Sequence, residues 1–314
     1  MIIPYPVELK EIHKLPVTTM LVCLNIFLFV MYFSGHESGI YSSPLLQADG
    51  LAMTGRMYQQ YLQDTSEAQS PRPQWVREIR TDDRGQLGVL GAYALRDNQF
   101  ISLASVFQFS GDTVRISEWK EDIEKYQVEY QKSVLTKFGL SAQTKGPIAW
   151  LTYQFSHSNW IHLLSNAIYL LFIGAAVEVV AGSGALLAVY VLGGIGGGIA
   201  YTFADPYSIT PVIGASACVS ALLAFYCIVE TRKRVRYFYF VFPRPNMFGP
   251  IFLPTLLIVP LFLVADFASL WSSPVGLGGG IAYSAHIGGS ILGVLLGILY
   301  RIRSRYHSNA ISLN

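Results

Sequence analysis

Six apolar runs dominate the sequence: Val17–Phe33, Trp160–Val180, Ala185–Phe203, Val212–Glu230, Gly249–Ala268 and Ile281–Tyr300. A helix needs about 20 apolar residues to cross a bilayer core, with somewhat shorter runs tolerated. In hydrocarbon, every backbone N–H and C=O must be paired within the protein. Runs of this length therefore predict helices, and the expected fold class is an all-α membrane protein with six transmembrane helices. Composition agrees, because charged types make up only 13% of the chain, where a soluble domain carries about 25%. A net charge of +2 is too small to indicate a nucleic-acid partner. Cys23, Cys218 and Cys227 all lie in apolar runs, so no disulfide framework is expected.

The charges are unevenly placed. Residues 34–146 hold 12 Lys/Arg and 14 Asp/Glu, which is 26 of the 42 charges in the chain. This divides the sequence into a tail (1–16), a first transmembrane helix (17–33), a polar insertion (34–146), a membrane core (147–302) and a second tail (303–314). Lys10 and Lys14 precede the first run without a small-x-small cleavage site after it, so that run reads as a retained anchor.

Positive charge orients the spans. Lys10 and Lys14, the group Arg232, Lys233, Arg234, Arg236 and Arg244, and the tail residues Arg301, Arg303 and Arg305 mark one side. Both termini are expected in the cytoplasm and the insertion outside, since long loops translocate largely regardless of charge. In the insertion, Trp119, Ile123, Tyr126 and Tyr130 share one helical face between Ser117 and Gln131. Residues 88–107 read either as a hairpin turning near Asp97-Asn98 or as helix. Pro71 and Pro73 read as a flexible stretch.

Strongly polar residues inside spans are expensive and mark function. His162 and Asn166 lie four apart on one face of span two, Ser216 opens span four, and His286 opens span six. All three spans run inward, and at about 1.5 Å per residue these groups sit roughly 3–10 Å below the outer end. A shared depth on three helices predicts one water-accessible site. Ser216 with His286 as base makes an activated nucleophile. His162, Asn166 and the Ser216 N–H are donors for a developing oxyanion. Gly289, Gly293 and Gly297 repeat every four residues, a small-residue face that suits Ala217 and Ala221. The segment Gly193 to Gly198 reads as a packing surface, since no Lys-Ser/Thr follows to make a phosphate loop. Asp266 is the nearest acid by depth, but it reads as a solvated helix-end carboxylate, which leaves a Ser-His dyad.

With these residues in view, the sequence resembles the rhomboid protease family. His157-Ser158-Asn159-Trp160-Ile161-His162-Leu163-Leu164-Ser165-Asn166 is similar to its H-x4-H-x3-N element. Gly214-Ala215-Ser216 resembles its G-x-S motif, and Ala285-His286-x-x-Gly289-x3-Gly293 its last-helix element. Glu178 followed by Gly182-Ser183-Gly184 is similar to the end of the family's second helix. The resemblance implies a six-helix rhomboid bundle with a long outer insertion. It implies an intramembrane serine endopeptidase that cuts single-span membrane proteins near the outer face, without metal, ATP or other cofactor. Ser216 and His286 would be catalytic, His162 and Asn166 would line the oxyanion hole, and His157, Gly214 and Gly289 would support them. Span five, with Pro250, Pro254 and Pro260, would be a gate. The implied partner is the lipid bilayer; with no transit peptide in view, a bacterial inner membrane is the expected setting and an organellar membrane the alternative.

Three departures from the pattern stand out: Ala217 in place of glycine, Ser220 in place of an aromatic that stacks on the histidine, and Ile148-Ala149 in place of a Trp-Arg pair. They leave a second reading, a rhomboid-like pseudoprotease that binds membrane clients without cutting them. A proton-coupled transporter is disfavoured, because none of the acids after residue 146 lies at a midplane.

Overall fold

The computed structural model describes residues 2–4, 15–34, 43–64, 72–78, 81–144, 146–206, 208–231, 234–240, 248–272 and 282–311. In chain order these form β1 (Ile2–Pro4), α1 (Pro16–Leu28), α2 (Ala48–Asp64), α3 (Arg84–Ala94), α4 (Asn98–Leu103) and α5 (Thr113–Lys132). There follow α6 (Trp160–Ala181), α7 (Ser183–Ala204), α8 (Ser216–Val229), β2 (Arg234–Phe240), β3 (Phe248–Pro254), α9 (Thr255–Ser272) and α10 (Tyr283–Ile311). A π turn extends α1 to Phe33, and another, Leu170–Gly174, lies within α6. Helices dominate, and the chain is a multi-pass membrane protein. Four segments are long and apolar enough to cross a membrane: Pro16–Phe33, Trp160–Ala181, Ser183–Ala204 and Tyr283–Ser304. The stretches Ser216–Val229 and Leu257–Ser269 are shorter apolar helices.

Two predicted spans begin later than their hydropathy suggests. Span four was expected from Val212, but the helix starts at Ser216. Val212 is instead bridged to Leu140, and Gly214 has φ +110°, which no helix accepts. Span five was expected from Gly249, yet residues 248–254 form β3, paired antiparallel with β2, which also pairs with β1. Pro250 and Pro254 therefore lie in an edge strand, where proline is tolerated, and only Pro260 interrupts α9. The tail and loop residues Lys10, Lys14, His13, His36, Arg232, Lys233 and Arg244 lie outside the described residues.

A glycine seam joins α7, α8 and α10. A methyl at Gly193 would overlap that of Ala221, and one at Gly197 would overlap that of Ala217. Gly289 and Gly293 press against the carbonyls of Ala217 and Ala221, and Gly288 meets the carbonyl of Gly196 at 2.5 Å from an ideal Cβ. The Gly193–Gly198 run is thus a packing surface, as expected. It also accommodates Ala217, because Gly197 makes room for its methyl and Gly289 for its carbonyl.

The segment between α1 and α6 has its own apolar core, built on Tyr58, Tyr61, Leu90, Phe100, Trp119 and Ile123. The predicted face of α5 is buried through Trp119, Ile123 and Tyr126. Residues 88–107 are helical, not a hairpin. Asp97 ends the turn between α3 and α4 by accepting from the N–H groups of Gln99 and Phe100, which caps α4. The same carboxylate takes the fully buried Arg72 and the hydroxyl of Tyr58, each at 2.5 Å. Arg72, next to Pro73, is thus held firmly, while Pro71 and the residues before it, which the flexible reading also covers, lie outside the described residues.

At the other end of the bundle, Glu178 caps α1. Pro16 occupies the first turn, where its missing N–H costs nothing. The next two N–H groups, of Val17 and Thr18, donate to the Glu178 carboxylate at 3.1 and 2.8 Å. The hydroxyls of Thr18 and Ser183 add bonds of 2.7 and 2.6 Å. A carboxylate at a helix N-terminus also complements the helix dipole. Glu178→Ala is expected to cost about 2–4 kcal/mol, because it orphans the buried N–H of Thr18 and the half-buried N–H of Val17. Glu178→Gln should cost less. Thermal unfolding in detergent micelles checks both.

Candidate active site

The site is built around the start of α8. Residues 208–213 lead to it and are held at several points by the insertion. Leu140 and Val212 exchange backbone hydrogen bonds of 3.0 and 2.7 Å, and the Ile209 N–H donates to the Arg96 carbonyl at 2.9 Å. Arg96 also donates to Thr210 Oγ1 at 2.9 Å and lies 3.9 Å from Asp205. Tyr130 donates to the Ile209 carbonyl. At Gly214 the chain turns with φ +110°, and its N–H donates to the Tyr153 carbonyl at 2.8 Å. An ideal Cβ at Gly214 would sit 2.7 Å from His162 Nε2 and 3.5 Å from Asn166 Nδ2. Only glycine satisfies both the dihedral and the approach.

Ser216 is the first residue of α8; the N-cap residue, Ala215, has no polar side chain to cap with, and among the described residues no side chain bonds to the first N–H groups of that helix. The opening N–H groups of a helix have no intrahelical acceptor. Uncapped, they form a site for negative charge. The same three residues that shape this turn therefore place a hydroxyl next to free backbone donors.

α6 supplies the facing side chains. Asn159 caps it by accepting from the His162 N–H at 2.9 Å. The Asn159 amide donates to Ser158 Oγ at 3.2 Å, and Ser158 Oγ lies 3.3 Å from His162 Nδ1. When Ser158 donates to Nδ1, the ring hydrogen lies on Nε2, the nitrogen facing Gly214. Asn166, one turn on, spends one amide hydrogen on the His162 carbonyl at 3.0 Å and keeps the other. Ser158 and Asn159 were not singled out from sequence. The S/N pair before an apolar run was a readable capping signal, but the tautomer role needed the geometry.

His157 is fully buried, with Nδ1 3.3 Å from the Phe155 carbonyl and its ring edge-on to His162 at 5.1 Å. Its Nε2 has no partner among the described residues. Burial, reinforced by His162, pushes its pKa down from 6.5 to about 3.

His286 opens α10 four residues after Ala282, and Gly289, one turn below, rests on the Ala217 carbonyl. The seam thus brings the His286 turn alongside Ser216. Among the described residues no hydrogen bond joins the two side chains. The imidazole instead faces Asp266, with Nδ1 3.5 Å from Oδ1, and the edge of the Tyr283 ring, with centroids 6.3 Å apart. Asp266 was read from sequence as a solvated helix end. It lies inside α9, which continues to Ser272, and its side chain is only 14% exposed. Apolar helix α9 ran further than hydropathy implied, and that hid the contact.

The helical membrane bundle thus gathers Ser216 at a helix start, with His162 and Asn166 on α6 pressed against the turn before it. Residues 145–303, about half of the 314-residue chain, match the Rhomboid domain. The chain therefore belongs to the rhomboid family, an intramembrane protease-type family. No curated protein sequence matches it in direct comparison. Among the described residues no group of His, Cys, Asp and Glu is arranged to hold a metal ion.

Two outcomes follow. Gly214→Ala should abolish activity and lower the unfolding temperature, because the added methyl strains φ and drives against His162; activity and melting measurements on the purified variant check this. Folded His157 binds its proton less tightly than unfolded histidine, so its stabilising effect is complete above about pH 6.5 and is lost as pH falls toward 3. Melting temperature against pH should show that decline, and His157→Gln should make it shallower.

Proposed function

We propose that the protein is an intramembrane serine endopeptidase that cuts single-span membrane proteins near the outer membrane face. Ser216 Oγ attacks the scissile carbonyl and His286 takes its proton, later giving it to the leaving amine. The Ser216 N–H, His162 Nε2–H and the free Asn166 amide hydrogen meet the oxyanion. Water then releases the acyl-enzyme by the same base. The single observation that carries this reading is the uncapped start of α8 pressed, through Gly214, against His162 and Asn166. An uncapped buried helix start is costly unless something negative fills it, and an oxyanion does so transiently.

The same reading places both termini in the cytoplasm of a bacterial inner membrane and the insertion outside. In it, α8 and the apolar part of α9 complete a six-helix core. At 14 residues, α8 is about 21 Å long. It begins below the outer surface of a core about 30 Å thick, which is where a water-filled entry has to lie. The pseudoprotease reading draws on the absent Ser216–His286 hydrogen bond, although such bonds are often loose before substrate binds.

The test combines a fluorophosphonate probe with a fluorescently tagged single-span substrate, using wild type and Ser216→Ala. Wild type should be labelled and should cut, while the variant does neither. Labelling without cutting leaves the nucleophile standing and moves the question to substrate. Neither labelling nor cutting, across several lipid compositions, overturns the protease reading in favour of the pseudoprotease.

A further inference from the structure

We propose that Asp266 is a positioning residue for the base, so that the site works as a Ser216–His286–Asp266 triad. This deepens the Ser216–His286 reading and rests on it. The contact is His286 Nδ1 to Asp266 Oδ1 at 3.5 Å, with the two side chains 20% and 14% exposed. That distance is a close polar contact beyond the ordinary range of a hydrogen bond, about 2.7–3.2 Å, and catalytic contacts are often this long before substrate arrives and tighten once it is bound. A carboxylate on Nδ1 keeps that nitrogen protonated and leaves Nε2 bare toward Ser216. It also stabilises the imidazolium once Nε2 has taken the serine proton; the Nδ1 proton stays on the ring.

Three further observations support this. His286 lacks the stacking ring that the residue four after the nucleophile would supply, since Ser220 stands there. The Tyr283 ring touches His286 only edge-on, at an interplanar angle of 82°, so it limits tilt without fixing rotation. Every other acid after residue 146 is committed or remote. Glu178 caps α1, Asp205 faces Arg96, and Glu230 terminates the far end of α8. Among the described residues, the titratable groups that face His286 are Asp266 from α9, Tyr283 from its own helix and His162 from α6. Of these only Asp266 carries negative charge.

The experiment compares wild type with Asp266→Asn and Asp266→Glu in detergent micelles. It measures the rate of fluorophosphonate labelling of Ser216, kcat and KM on a tagged single-span substrate, the pH profile of kcat/KM, and melting temperature. Asp266→Asn should lower kcat and labelling about 10- to 100-fold, short of the ~10²–10⁴-fold that acid–base catalysis supplies in full. KM and melting temperature should stay near wild type. The acid limb of the profile should move to lower pH, because the imidazolium loses its carboxylate, and Asp266→Glu should recover part of the rate. An Asp266→Asn enzyme with wild-type rate and an unmoved acid limb overturns the proposal. So does a loss of rate that follows melting temperature while the limb stays in place. If wild type labels normally, either result removes only Asp266 and leaves the dyad. If wild type does not label at all, the Ser216–His286 reading falls and this proposal with it.

Discussion

Everything in the site depends on how closely α7, α8 and α10 approach. In hydrocarbon, apolar helices gain nothing from leaving water, so association relies on van der Waals contact and backbone proximity. Each atom pair contributes only about 0.1–0.2 kcal/mol, and a gap of 0.5–1 Å forfeits a quarter to a half of that. Gly193 and Gly197 against Ala221 and Ala217, with Gly289 and Gly293 against the carbonyls of the same two alanines, remove every methyl that would open such a gap. The chemistry inherits this tolerance, because misplacement by about 1 Å costs a catalytic group much of its effect. Packing and reactivity are here one constraint, since Ala217 is both the seam residue and the neighbour of Ser216.

The second determinant lies outside the membrane helices. The loop that delivers Ser216 is irregular from Ser208 to Gly214, and irregular backbone must find partners beyond its own segment. It finds them on the insertion, through Leu140, Arg96 and Tyr130. Those anchors are only as firm as the domain that carries them, and Asp97 sets that firmness. One carboxylate caps α4, pairs with buried Arg72 and accepts from Tyr58. Burial and the neighbouring carboxylate push the Tyr58 hydroxyl far above the ordinary phenol range, so it remains a donor. Removal of either partner of a buried ion pair leaves an uncompensated charge, which makes this cluster an all-or-none support.

The parts of this architecture that follow a period were legible in the sequence. Apolar length announced the membrane helices, and the four-residue spacing of Gly289, Gly293 and Gly297 announced the seam. His162 and Asn166 share a face for the same reason, and α5 was visible through Trp119, Ile123 and Tyr126. What escaped notice depends on long-range pairing. Val212 is as apolar as a span residue but is taken by Leu140. Gly249 to Pro254 pairs with β2, whose partner no local pattern identifies. Asp266 resembles any helix-end acid until α9 is seen to continue past it and α10 to face it. Ser158 gained meaning only once its oxygen was found between Asn159 and His162. Local chemistry fixed which groups are present, and tertiary contact decided which of them meet.

The clamp on residues 208–213 also carries a temporal consequence. The partners on the insertion all precede the loop in the chain, and the ribosome delivers them first. Domains fold largely as units, N-terminal first during synthesis, at roughly 5–20 residues per second. Residues 43–132 can therefore complete their own apolar core before the stretch from Asp205 to Ser216 has been made. Ser216 is then laid onto a finished surface, and the last helix to arrive, α10, brings His286. The site is assembled in the order anchor, serine, histidine, which keeps Ser216 and His286 apart until nearly the whole chain is in place.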